Sequence, residues 1–317
     1  MKAVVLTESG GTDNLVIQEI PVPEPGPTEV LVKIHAISIN PVDVKTRKGG
    51  TFYNKLKDDP PVILGWDISG VVESVGTDVN KFKEGDEVFG MVNFPGHGKA
   101  YAAYVAAPEE HLAIKPNNIS HQEAAAATLA ALTAWQVLVH EAHLKEGQHL
   151  LMHAAAGGVG HFAVQIARHL GAEVSGTASG HNAAFLKEIG VQEHIDYTRE
   201  DVADQAGRYD LVFDPIGGDT TLKSFATLKP GGKLISIVGG VKEAHEQELA
   251  EKNISAQNYL VHSSGEDMES LSDLLAKGIL KPHIFRSFSF EEIADAHRQV
   301  ETGKTRGKVV VNVLSQA

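Results

Sequence analysis

Residues 149–160, HLLMHAAAGGVG, carry the clearest chemical signal in the chain. A short apolar run ends in Ala155, Gly157 and Gly160, three small residues at the G-x-G-x-x-G spacing with alanine in the first place. Residues 162–171, FAVQIARHLG, put Phe162, Ile166 and Leu170 at helical intervals. A strand, a tight turn and a helix in that order bind the pyrophosphate of a dinucleotide. The first small residue permits the turn, the second lets phosphate approach the backbone, the third lets helix pack on strand, and the helix's first N–H groups face the anion. A tight turn can use two glycines for its own sake. Here, however, EVSGTA at 173–178 follows as a second strand at the distance of one βαβ crossover.

The end of that second strand separates NAD from NADP. An NAD site places Asp or Glu there, about 20 residues past the glycines, to accept from the ribose hydroxyls. Residues 177–182, TASGHN, contain no carboxylate and offer donors at Ser179, His181 and Asn182. Lys187 and Tyr197 follow nearby. A 2′-phosphate fits this loop better than a bare ribose, so the expected cofactor is NADPH.

The elements that must position these residues divide the chain in two. From Lys2 to about Pro116 short strands alternate with Gly and Pro: 30–36, 68–75, 87–91 and 102–106 are bounded by PVPEPGPTE, Gly76-Thr77, KEGD and GHG, which predicts an all-β sheet or barrel. Near Ser120 the composition changes, and HQEAAAATLAALTAWQVLV predicts a long helix. Beyond His149, strands are expected at 173–178, 194–197, 211–215, 233–239 and 254–262. With the first this makes six, the number of a doubly wound Rossmann sheet. A helix, a strand (284–288), a second helix and GKVVVNV close the chain, and the last strand is expected to return to the first domain's sheet. The expected domains are thus 1–120, completed by 263–317, and 121–262.

Composition narrows the function. A formal charge of -13 disfavours nucleic acid and anionic membrane as partners. No run of 18 apolar residues exists, and MKAVVLTESG reads as a strand rather than a signal peptide, so a cytoplasmic protein is expected. The absence of cysteine removes disulfides, thiolate nucleophiles and every cysteine-ligated zinc site. His140 with His143, and His149 with His153, have metal-like spacings but no carboxylate-rich context, and no metal is expected.

The motifs NPVDVKTRKG (40–49), LGWDISGVVESVG (64–76), KEGDEVFG (83–90), LTAWQVL (132–138), AAAGGVG (154–160), FDPIGG (213–218) and GKVVVNV (307–313) run in order through the whole chain. In these the sequence resembles the zinc-independent medium-chain dehydrogenases/reductases of the quinone oxidoreductase family, which includes ζ-crystallin-like proteins and alkenal/enone reductases. The resemblance implies an α/β chain: a GroES-like β-barrel domain plus a doubly wound, six-stranded parallel Rossmann sheet, with the active site in the cleft between them. Zinc-dependent cousins carry Cys in the first motif and Gly-His-Glu in the second. Here these read Asn40 and Gly65-Trp66-Asp67, and the implied activity is metal-independent hydride transfer from NADPH to a quinone or an α,β-unsaturated carbonyl.

The resemblance also assigns roles. Asn40, Lys45 and Tyr53 are the expected catalytic residues, Asn40 beside the nicotinamide ribose and Tyr53 toward the substrate. Lys45 stands where quinone oxidoreductases often have tyrosine and enone reductases lysine. Asp43 and Arg47 are expected to orient backbone. Ala156, Gly157, Gly158 and Val159 fall at the pyrophosphate, Thr133, Gly239 and His262 near the nicotinamide, and Arg306 within reach of a phosphate. Family members often hold the 2′-phosphate with a lysine where this chain has His181-Asn182. A homodimer is implied by the family. The alternative function is an NADPH-binding regulatory or crystallin-like protein with little turnover.

Overall fold

The computed structural model describes residues 1–50 and 52–314. The chain forms two compact units, residues 1–132 with 261–317 and residues 133–260.

Seven strands open the first unit: β1 (Lys2–Leu6), β2 (Leu15–Glu19), β3 (Glu29–Ile39), β4 (Asp67–Val75), β5 (Glu87–Met91), β6 (Tyr104–Pro108) and β7 (Leu112–Ile114). The second unit holds β8 (His149–Met152), β9 (Glu173–Ala178), β10 (Glu193–Asp196), β11 (Tyr209–Asp214), β12 (Leu228–Ser236) and β13 (Ser255–Asn258). The chain then returns to the first unit with β14 (Ile284–Ser289) and β15 (Lys308–Asn312).

In the first unit β3 is the hub. Its eleven residues pair with β4 along most of their length, with β6 at one end and with β15 at the other, giving the order β14-β15-β3-β4-β5-β7. The valine-rich last strand therefore does return, antiparallel to β3, with Val309 opposite Ile39 and Val310 opposite Ser38. Val309, Val310 and Val311 are all buried, the pattern of a strand covered on both faces.

The long helix expected after Ser120 is interrupted. It splits into His121–Ala126 and Leu129–Trp135, followed by a wider π turn at Gln136–Glu141. Ser120 starts the first piece with a capping box, its hydroxyl accepting the Glu123 N–H while the Glu123 carboxylate accepts the Ser120 N–H. At the break Thr128 Oγ1 donates to Ala125 O, and the Leu129 N–H turns to a carboxylate of β4, Asp67, at 2.9 Å. His121–Ala126 packs on β3, β4 and β15, where Ala125 and Ala126 meet Ala36 and Val310. That packing moves the unit boundary from the expected 120/121 to 132/133, and the return falls at 260/261 rather than 262/263.

In the second unit all six strands are parallel, in the order β10-β9-β8-β11-β12-β13. Numbered along the chain this is 3-2-1-4-5-6, the dinucleotide-binding arrangement, and its order reverses between β8 and β11. Leu151, Val212 and Leu234 from neighbouring strands build one core with Phe225, Leu228 and Leu249. The helix Gly158–His169 is buried from Gly160 to Ala167 and stops at Gly171, whose positive φ suits glycine after a C-cap. Among the described residues no helix is long and apolar enough to cross a membrane.

Candidate active site and cofactor cradle

Asn40 precedes Pro41, the first residue of the helix Pro41–Arg47, and so occupies its N-cap. Its side chain does not cap. Nδ2 donates to Asp67 Oδ2 at 2.7 Å, and Oδ1 accepts from the Lys308 ammonium in a very short contact. Asp67 also accepts the Ser38 hydroxyl (2.5 Å) on Oδ2 and the Leu129 N–H on Oδ1, and Lys308 Nζ lies 3.7 Å from Oδ2. Ser38, Asn40, Asp67 and Lys308 are each at most 3% exposed. Burial pulls the Lys308 pKa below the ordinary lysine value, while the Asp67 and Asp43 carboxylates oppose that shift.

Asp43, one turn into the helix, accepts the Asn40 backbone N–H at 2.6 Å, which fulfils the expectation that it orients backbone. Burial pushes its carboxyl up to about 7. Arg47 is buried and pairs with Glu301. Of the other expected catalytic residues, Lys45 is exposed on the same helix, and Tyr53 is half-buried with its hydroxyl accepting the Ser9 N–H at 3.3 Å. The hydrogen bonds of the Asn40 ring include neither.

Trp66, which stands where zinc-dependent cousins have histidine, is fully buried. Its Nε1 donates to Gly96 O at 2.8 Å, and its ring meets Phe52 and Phe94 edge-on. Among the described residues no three histidines, aspartates and glutamates converge as metal ligands. His153 bridges Thr177 and Ser224, and burial lowers its pKa to about 4, while His149 pairs with Glu173.

In the second unit the expected cofactor residues other than Thr133 follow the carboxyl ends of parallel strands, where ligands of this sheet type bind. After β8, Ala154 takes a left-handed φ of 47° and is held by Thr177 of β9, whose Oγ1 accepts the Ala154 N–H. Ala155 and Ala156 are buried in the turn, and Gly157 is the N-cap of Gly158–His169. A Cβ on Gly160 would stand 2.3 Å from Ala154 O, so the third small residue is required for packing. On Gly157 a Cβ would meet only the Ala154 residue, with its O at 3.1 Å, and its remaining side is open. Gly157, Gly158 and Val159 are partly accessible, and the first N–H groups of this helix have no intrahelical acceptor. These features fit a dinucleotide pyrophosphate.

Ser179, His181 and Asn182 form one hydrogen-bonded loop after β9, with Ser179 Oγ 3.1 Å from His181 Nδ1 and accepting from Asn182 Nδ2. Because Asp196 of β10 is in register with Ala178 of β9, exposed Tyr197 emerges next to Ser179. The same register brings what residues 177–182 lack. The Asp196 carboxylate faces Gly180, its Oδ2 2.6 Å from where a Cβ would stand, so an acid lies beside residues 177–182 although they contain none. Two hydrogen bonds from Thr198 hold this carboxylate below the usual range. Thr133 is buried in Leu129–Trp135, and Gly239 lies exposed after β12 with φ 75°. His262 and Arg306 belong to the first unit, His262 exposed and Arg306 half-buried just before β15.

Lys308 is the residue that sequence reasoning missed. Opening a valine strand, it reads as a solvated strand end. Its only sequence signal is its place inside GKVVVNV.

Two family models match, an alcohol dehydrogenase GroES-like domain over residues 26–117 and a zinc-binding dehydrogenase over 189–311. The 2-methylene-furan-3-one reductase of Solanum lycopersicum is 36% identical over 99% of this chain and 79% of its own length. This chain belongs to the medium-chain dehydrogenase/reductase family. It is thus an oxidoreductase, and other members of the family share its fold. A chloroplastic NADPH-dependent alkenal/one oxidoreductase of Arabidopsis thaliana is 36% identical over 98% of the chain and 79% of its own length. The structure of a quinone oxidoreductase from Coxiella burnetii superposes with a TM-score of 0.93 at 37% identity, covering 99% of both chains.

Proposed function

We propose that this oxidoreductase reduces an α,β-unsaturated carbonyl or a quinone with NADPH and without zinc. The observation that carries the proposal is the ring around Asn40. Where metal-dependent cousins keep cysteine, this chain has an amide fixed by Lys308 and Asp67, and the buried indole of Trp66 replaces the neighbouring histidine. A site of this composition polarises a carbonyl by hydrogen bonding alone. It suits acceptors whose developing negative charge is already delocalised. A methylene-furanone and an alkenal, the compounds in the names of two relatives, are conjugated in that way.

When bound, NADPH supplies the hydride. The backbone at Ala156, Gly157, Gly158 and Val159 holds its pyrophosphate, and Ser179, His181, Asn182 and Tyr197 hold the 2′-phosphate. Thr133, Gly239 and His262 keep the nicotinamide roles implied by the family, and Arg306 takes a phosphate. Asn40 offers an N–H to the substrate end, with Lys45 and Tyr53 beside it. The protein works as a cytoplasmic homodimer, and light scattering checks the assembly.

The test is loss of NADPH absorbance with p-benzoquinone, trans-2-hexenal, hexanal and, in the reverse direction with NADP, ethanol. Turnover is expected with the first two only, unchanged after dialysis against a strong chelator. Turnover confined to ethanol or hexanal, or activity lost to the chelator and restored by zinc, overturns the proposal.

A further inference from the structure

An asparagine amide can sit in either of two orientations, and its chemistry depends on which. Here the two partners settle the matter because they are of opposite kinds. An ammonium has only hydrogens to give, so it must face the amide oxygen. The Asp67 carboxylate is surrounded by donors, namely Ser38 Oγ, the Leu129 N–H and Lys308, so it must face the amide nitrogen. Asn40 therefore has one N–H committed to Asp67 and a second that no described residue takes.

We propose that Lys308 is a positioning residue for the reaction. Its buried ammonium locks the Asn40 amide so that this second N–H is presented as a fixed donor. The proposal rests on the assignment of Asn40 to the substrate end made above.

Without Lys308 the amide oxygen has no donor and the amide is held at one end only, by its bond to Asp67, about which the second N–H can swing; Asp67 keeps the Ser38, Asn40 and Leu129 donors. The loss should then fall on turnover more than on the fold. An arginine at the same position is also obligatorily a donor and should preserve the orientation. Lys308 comes from a strand far away in sequence, Asn40 from the end of β3, and the two meet because β15 pairs with β3. The signal is thus purely tertiary.

The experiment is a double-mutant cycle over Asn40→Ala and Lys308→Met, with Lys308→Arg as rescue, assayed with NADPH and p-benzoquinone or trans-2-hexenal. Lys308→Met is expected to lower kcat about 10- to 100-fold, the usual cost of losing an orienting partner, with the KM for NADPH unchanged. In the Asn40→Ala background it should cost nothing further, because residues acting through one another are not additive. In the apo protein, the side-chain amide resonances of Asn40, assigned by their loss in Asn40→Ala, should shift in Lys308→Met and return in Lys308→Arg. Additive losses, or an Asn40 amide unmoved in Lys308→Met, overturn the proposal. If Asn40→Ala itself keeps full kcat, the assignment of Asn40 fails first and takes this inference with it. A Lys308→Met chain that does not fold leaves the decision to Lys308→Arg. Kinetics and amide shifts like the wild type support the lock, and a kcat as low as that of Asn40→Ala refutes it.

Discussion

If the loop at Ser179 holds the 2′-phosphate as proposed, two positions one strand apart, one without a carboxylate and one with, should govern the choice between NADPH and NADH. The loop at Ser179 lacks the ribose-binding acid, but Asp196 stands across from Gly180, where its charge would repel a 2′-phosphate held by that loop. Replacing Asp196 by Asn keeps an acceptor for Thr198 and removes the charge. The ratio of NADH to NADPH dissociation constants, measured by fluorescence titration, should rise about fivefold, the effect of about 1 kcal/mol between unit charges near 4 Å in water. Ser179→Asp should move the ratio the other way, and both effects should shrink in salt. The glycines make a second pair. Gly160→Ala drives a methyl into Ala154 O and the Ala155 backbone and should lower unfolding free energy by about 2 to 3 kcal/mol, measured in urea. Gly157→Ala meets one oxygen at 3.1 Å and should leave urea stability nearly unchanged while weakening NADPH binding. The glycine turn was legible because its spacing is local. Asp196 was not, because only the β9–β10 register brings it to the loop.

Among the elements, legibility follows the punctuation. β5 and β9 begin and end where their flanking turn residues predict, whereas β6, expected at 102–106, lies at Tyr104–Pro108, since nothing local marks where β3 takes it up. The alanine-rich stretch shows the limit more sharply. Propensity favours one long helix from His121, yet the Leu129 N–H is claimed by Asp67, 62 positions earlier in the chain, and the helix restarts there. Lys308 escaped for the same reason, as burial of a strand-end lysine is decided by the strand it joins. The cap at Ser120, by contrast, is entirely local. Ser120→Ala should lower stability by about 1 kcal/mol in a urea titration and leave NADPH affinity untouched.

At the scale of the whole molecule, histidines set the acid limit. His121, stacked on His35 at 4.3 Å with Ser69, Glu87 and Lys115 around it, has its pKa lowered to about 4, as does His153, and buried His297 beside Tyr101 and Arg47 falls to about 3. Burial is the first cause in each. The unfolded chain binds these protons near the reference value of about 6.5, and the folded chain refuses them. Stability from these groups is therefore complete above about 6.5 and drains away as pH falls toward the folded values. Melting followed by circular dichroism should show Tm falling between pH 6.5 and 4, and His121→Gln should flatten the fall. The placement of β15 bears on how the chain is made. Residues 133–260 have left the ribosome before 308–312 exist, so the Rossmann unit can close while the first unit still lacks the strand between β14 and β3. A nascent chain halted at residue 305 should resist protease over 133–260 and be cut within the first 132 residues. Truncation there removes the strand and the Lys308 ammonium together, so if the proposed roles hold, an unfinished copy would bind cofactor without a locked Asn40, and synthesis of the last strand would be the step that arms the enzyme.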